Sequence, residues 1–118
     1  MKRQKRVAPV QLGAFEEQVM LAVVRMGREA YGMNVRRELE EVTEREVTIG
    51  SVYATLDRLE AKGLISMRTA RAEPGRRGRA RRYCRLTPLG TAATRHSAVM
   101  LTRMMSGLRL LEGTRKPS

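Results

Sequence analysis

The chain has 118 residues, 42% of them apolar, with 24 Lys+Arg against 12 Asp+Glu and a formal charge of +12. That length suits one small domain with a modest core, built without Trp and with only one Phe and three Tyr. Its longest uncharged stretch, residues 47–56, is about half of what a spanning helix needs, and no basic leader runs into an apolar segment with a cleavage site, so a cytoplasmic protein is expected rather than a membrane or secreted one.

Residues 1–8 read as a basic, flexible tail carrying Lys2, Arg3, Lys5 and Arg6. Leu12, Phe15, Val19, Ala22, Val23 and Met26 then recur at helical spacing, which predicts an amphipathic helix over 13–26, stopped by Gly27. Tyr31-Gly32 opens a second helix over 32–43, with Met33, Val35, Leu39 and Val42 apolar. After the β-branched run Val47-Thr48-Ile49, Thr48 can cap a third helix over 49–62. Ile49, Val52, Leu56 and Leu59 form its narrow apolar seam, and Gly63 ends it. The period then shortens. Ile65, Met67 and Thr69 alternate with Ser66, Arg68 and Ala70 in a strand over 64–71, residues 73–78 have turn chemistry, and 80–86 return. Thr87-Pro88 starts a last helix to about residue 112, with Leu89, Ala92, Ala93, His96, Val99, Met100, Met104 and Leu108 along one side. The expected fold is mainly α with a small β-hairpin. It comprises a winged helix-turn-helix over 9–87, a dimerisation helix over 88–112 and a tail over 113–118.

The charge is localised. Residues 7–67 carry 7 basic and 10 acidic side chains, whereas residues 68–85 carry eight Arg against Glu73 alone. Twenty of the 24 cations are Arg, which favours bidentate phosphate binding. Such a field attracts nucleic acid, anionic lipid or an acidic protein and does not by itself choose among them. The third helix narrows the choice. Opposite its seam lie Ser51, Ala54, Thr55 and Arg58, with Tyr53 and Lys62 at the margins. Ser and Thr contact base edges or phosphates, Ala meets a thymine methyl, and Arg58 suits guanine or phosphate. The hairpin that follows, with Arg76, Arg77, Gly78, Arg79 and Arg81, would lie along a duplex backbone. A non-catalytic scaffold holding RNA or an acidic protein through that hairpin is the alternative.

No triad, Cys-His pair or phosphate loop is present, so neither an enzyme nor a cofactor is expected. His96 has no second ligand at metal-binding spacing. Cys84 would have its thiol pKa lowered by neighbouring arginines if it were a redox sensor, and otherwise is a plain strand residue. No helix pairs a basic face with a broad apolar one, which disfavours a membrane surface. Leu89, Ala93, His96, Met100, Met104 and Leu108 exceed what a three-helix core covers and are expected to form a homodimer interface. Met100, Met104 and Met105 would suit an adaptable ligand pocket as well.

Leu12-Gly13-Ala14-Phe15-Glu16, Ala30-Tyr31-Gly32-Met33, the run from Gly50 to Glu60, Lys62-Gly63-Leu64-Ile65, Gly78-Arg79, Arg82-Tyr83 and Leu86-Thr87-Pro88-Leu89-Gly90 occur in this order. Together they resemble the PadR family of bacterial transcriptional regulators, in its short form with one C-terminal helix. The resemblance implies a homodimeric winged-helix repressor that binds inverted repeats in double-stranded DNA, and many relatives release DNA when a small effector binds. It also implies that Tyr53 and its neighbours, Gly78 and the adjoining arginines sit at the DNA. Cys84 stands where relatives carry a second Tyr. The chain also lacks the aromatic residues in the last helix with which drug-sensing relatives sandwich flat ligands.

Overall fold

The computed structural model describes residues 11–70 and 81–113. Arg76, Arg77, Gly78 and Arg79, and most of each expected tail, lie outside the described residues.

Four α-helices, α1 (Ala14–Met26), α2 (Gly32–Thr43), α3 (Ile49–Ala61) and α4 (Pro88–Met105), surround one hairpin of β1 (Ile65–Ala70) and β2 (Arg81–Leu86). A short 3-10 turn, Gly27–Glu29, links α1 to α2 and was not foreseen from the sequence. The order is the winged helix-turn-helix expected.

Local chemistry sets the boundaries. The Gly13 amide donates to Glu16 Oε1 at 3.0 Å, half of a capping box, since Gly13 has no side chain to return the bond. Thr48 Oγ1 accepts from the Ser51 amide at 3.1 Å and so caps α3 as its position predicts. The far end of α3 closes with paired bonds, from the Gly63 amide to the Glu60 carbonyl and from the Leu64 amide to the Leu59 carbonyl, both 2.9 Å. Gly63 supplies the left-handed residue this closure requires, at φ +76°. Thr87 joins α4 to that corner: its hydroxyl accepts from the Gly90 amide at 3.0 Å and donates to the Gly63 carbonyl at 2.6 Å.

The hairpin is antiparallel in the register Ile65–Leu86, Met67–Cys84 and Thr69–Arg82. Cys84 also donates its amide to the Ala30 carbonyl at 2.8 Å, so the 30–31 segment borders the sheet. Val19, Met20, Val35, Val52, Leu56, Leu59 and Leu64 are fully buried and form the core of the helical trio and hairpin base. Met20 escaped the sequence pattern, while Val42, expected on the inner face of α2, is 56% exposed.

Two expectations about the last helix are corrected. It ends at Met105, not near 112, because the backbone leaves helical geometry at Ser106 (φ -60°, ψ 132°) and Gly107 follows at φ +79°. Leu108 therefore lies beyond the helix. Ala93 is 4% exposed and, with Gly90 and Thr94, packs against its own domain, not a partner. His96 is exposed, as are the other residues of the expected interface apart from Ala93. Only the first half of α4 is seated, and the rest projects. The radius of gyration is 17.0 Å, against about 13 Å for a compact domain of 100 residues.

Candidate nucleic-acid interface

The open surface of α3 begins with Gly50, Ser51, Tyr53 and Ala54, all exposed. Ser51 is the side chain closest to the helix start, and its Oγ donates to the Thr48 carbonyl at 2.8 Å. Thr55 is the exception to the expected reading face. It is 2% exposed, and its hydroxyl accepts from Arg58 Nη2 at 3.2 Å. The seam of α3 is wider than four apolar residues, and Thr55 falls inside it. A buried methyl and an internally bonded hydroxyl leave nothing for a base edge, so a reading role for Thr55 is withdrawn.

Arg58 is exposed but engaged. Its Nε lies 3.6 Å from Glu16 Oε2, the oxygen that also accepts from Lys62 Nζ at 2.9 Å. Glu16 itself is 8% exposed. The Lys62 bond, followed by the Gly13 amide, holds its carboxyl below the usual carboxylate range, against a smaller opposing effect of burial. One carboxylate of α1 thus restrains both cations at the C-terminal end of α3.

Tyr53 has a different neighbour. A Cβ placed on Gly32 would lie 2.5 Å from the Tyr53 Cζ and 2.6 Å from its hydroxyl. Only a glycine at the start of α2 leaves room for this ring, and that contact fixes where the ring stands on the α3 surface. The sequence signal was the adjacency of Tyr31-Gly32 to a helix start, but the partner was not legible.

A second cluster lies at the base of the hairpin. Tyr31 and Tyr83 meet edge to face, centroids 5.5 Å apart, and pair as an isolated antiparallel bridge. Arg81 stacks 4.4 Å over the Tyr31 ring and Arg68 5.0 Å over Tyr83. Tyr31 thus contributes the aromatic partner that the Cys84 position does not. Arg82 points elsewhere, within 3.9 Å of Asp57 and 3.8 Å of Glu60 on α3. Sequence reasoning singled out Arg81 and missed the roles of Arg68, Arg82 and Tyr31. Cys84 is buried, and burial pushes its thiol up to about 11 despite the opposing Arg82 charge. The lowered pKa expected of a sensor is not found.

Among the described residues, no cluster of His, Cys, Asp and Glu could hold a metal ion, and no helix is long and apolar enough to cross a membrane.

A capped helix with an uncharged first turn, set beside an arginine-bearing hairpin, defines a winged-helix DNA-binding protein. The PadR-like family of transcriptional regulators matches residues 20–96, and the chain belongs to it. RosR of H. salinarum is 28% identical, with 81% of this chain and 79% of that chain covered and a TM-score of 0.63. A PadR-like transcription factor from Bacteroides fragilis is 24% identical over 76% of this chain and 82% of its own, also with a TM-score of 0.63. A PadR-family regulator from Eggerthella lenta is 24% identical over 82% of both chains, with a TM-score of 0.60. No curated protein matches the chain.

Proposed function

We propose that the protein is a homodimeric, sequence-specific repressor that binds an inverted-repeat operator and answers to a small effector. The observation that carries this reading is the pairing of an uncharged, small-residue helix start (Gly50, Ser51, Ala54) with a cationic hairpin directly after α3. In it, Ser51, Tyr53 and Ala54 contact the major groove while Arg58 contacts phosphate near the end of α3. Arg81 and Arg68, together with Arg76, Arg77, Gly78 and Arg79 between the strands in sequence, grip the backbone.

Dimerisation rests on exposed apolar surface. Leu89, Val99, Met100, Leu101 and Met104 of α4 are 40–72% exposed, and Leu108, Leu110 and Leu111 beyond it are 58–67% exposed. Leu21 and Val24 of α1 add 45% and 56% exposed side chains that the sequence reading had not assigned. Exposed apolar side chains in this number suit an interface. Two-fold symmetry would set the α3 helices in successive major grooves, with half-sites about one turn apart.

The test is a mobility-shift titration on the duplex upstream of the protein's own gene, competed with random duplex and structured RNA. Preference for the upstream duplex is expected; equal competition by all three overturns the reading in favour of a general polyanion scaffold. Arg81→Ala should weaken binding to all duplexes and lower the salt slope by about one. Ser51→Ala should instead change which sequence is preferred.

A further inference from the structure

Ser51, Ala54 and Arg58 follow one another at spacings of three and four residues, and so share one exposed stripe of α3. An arginine standing free on such a stripe samples many rotamers and gives up that freedom when it grips an anion. Arg58 is held beforehand. Its Nη2 donates to Thr55 Oγ1 at 3.2 Å, and its Nε stands 3.6 Å from Glu16 Oε2. Neither acceptor is loose. Thr55 is 2% exposed, and its branched Cβ is packed into the helical core. The Glu16 carboxylate is tied at both oxygens, Oε1 by the Gly13 amide at 3.0 Å and Oε2 by Lys62 Nζ at 2.9 Å. In a guanidinium, Nε and Nη2 carry the parallel N–H groups of the side edge, and Nη1 and Nη2 form the fork at the end. The side edge of Arg58 therefore faces its two acceptors, while Nη1 makes no bond among the described residues.

Thr55 carries a second clue. A valine would fill the same volume in the core and would need no polar partner. Among the described residues the bond from Arg58 is the only one that the Thr55 hydroxyl makes. A hydroxyl kept at a buried site for a single exposed cation acts on that cation.

We propose that Thr55 and Glu16 are positioning residues that hold Arg58 with its end fork ready for one DNA phosphate. This rests on the regulator reading and deepens it. Thr55 touches no DNA, and its work is done through Arg58. The side edge stays with the protein, the end fork takes two phosphate oxygens, and part of the ordering cost is met before DNA arrives. Because two cations, Arg58 and Lys62, share one carboxylate, the cluster keeps a net positive charge and still attracts the backbone.

Two substitutions at Thr55 separate positioning from packing, because they rank in opposite order on two readouts of the full chain. Thr55→Val keeps the shape and loses the hydroxyl, whereas Thr55→Ser keeps the hydroxyl and loses a buried methyl. Thermal melts followed by circular dichroism should place Thr55→Val near the parent and Thr55→Ser about 5 °C lower. Fluorescence anisotropy on the labelled upstream duplex, at a temperature where all variants are folded, should give the reverse. Thr55→Val should bind about three- to tenfold more weakly, and Thr55→Ser should retain most of the affinity. In the Arg58→Ala background, Thr55→Val should cost nothing further. Glu16→Gln also removes a negative charge, so its effect is compared between backgrounds: it should be about threefold less favourable with Arg58 present than with Arg58→Ala. Equal effects of Glu16→Gln in the two backgrounds overturn the proposal. So does a Thr55→Val variant that binds as the parent does, or one whose loss persists in the Arg58→Ala background. A parent chain with no preference for the upstream duplex over random duplex and structured RNA overturns the regulator reading and this inference with it. A parent that shows the preference while the Thr55 ranking fails overturns this inference alone.

Discussion

Replacing Gly32 with Ala separates the stability of the fold from the placement of Tyr53. The added Cβ would meet Tyr53 Cζ, Oη and Cε1 at 2.5, 2.6 and 2.7 Å, whereas carbon atoms pack at about 3.5–4.0 Å. The ring must therefore retreat by about 1 Å or swing away. Because Tyr53 is 38% exposed, it has solvent to swing into, and the strain is released without opening the core. The cost of overpacking, about 1 kcal/mol at such a margin, is offset by the up to about 1 kcal/mol that Ala gains over Gly in a helix. The expected shift in melting temperature is within about 5 °C either way. DNA affinity should fall about tenfold, equivalent to about 1.4 kcal/mol, as the ring leaves its place on α3. Fluorescence anisotropy with a labelled upstream duplex, run on Gly32→Ala, Tyr53→Ala and the double variant, is the assay. Once the ring is gone, adding the methyl should cost nothing further, so the two losses must not add. Additive losses, or a Gly32→Ala variant that binds DNA as the parent does, would refute the reasoning.

Glu16→Gln should destabilise the protein at neutral pH by about 1 kcal/mol, because Lys62 and Arg58 lose their shared carboxylate. Since the folded-state pKa of Glu16 lies below its ordinary 4.5, its contribution is whole above that value and is lost as pH falls through the folded pKa. Urea melts at stepped pH should accordingly show a shallower acid-side decline for Glu16→Gln, and parallel declines would contradict the assignment. Cys84, buried with its thiol raised to about 11, should react with iodoacetamide at neutral pH far more slowly than the unfolded chain does. Alkylation at the same rate in urea and in buffer would show that the thiol is accessible. Met104→Glu, at a side chain 72% exposed in one protomer, should leave the fold unchanged by circular dichroism and shift the sedimentation coefficient to that of a monomer. An unshifted dimer would remove α4 from the interface.

The fold was largely legible because its boundaries are set by local chemistry. Thr48, Gly63 and Thr87-Pro88 punctuate the chain by caps and stops that need no tertiary partner. What escaped depended on contacts remote in sequence. Thr55 looks polar and free on a helical wheel, yet the breadth of the surface packed against α3 decides that it is buried. Nothing near Glu16 in the chain marks it as a partner of Lys62, and only the fold, closing a separation of 46 residues, brings the two together. Tyr31 and Tyr83 sit in different elements, and nothing in either neighbourhood signals the edge-to-face pair. The end of α4 was misplaced because leucines at 108 and 111 continue the apolar spacing past Gly107, and periodicity outweighed the break.

The hairpin's charge does not translate directly into grip. Arg82 lies within 3.9 Å of Asp57 and 3.8 Å of Glu60, two carboxylates on the exposed side of the helix proposed to enter the groove. Uncompensated, those carboxylates would repel a phosphate backbone, so the first use of Arg82 is to cancel charge that α3 itself carries. Arg81 and Arg68, stacked on tyrosines and unpaired with acids among the described residues, are free of that use and on the proposed reading meet phosphate. The two classes are distinguishable. Arg82→Ala should weaken duplex binding about three- to tenfold by exposing Asp57 and Glu60, and the added changes Asp57→Asn and Glu60→Gln should restore most of it. Arg81→Ala should lose a comparable factor that the same changes do not restore, because a missing phosphate contact is not repaired by removing a repulsion. Stability should hardly register either change, since exposed ion pairs of this kind contribute at most about 1 kcal/mol. If the acid-to-amide changes rescue Arg81→Ala and Arg82→Ala equally, the arginines act only as a diffuse field, and the stacked geometry at the hairpin base has no part in binding.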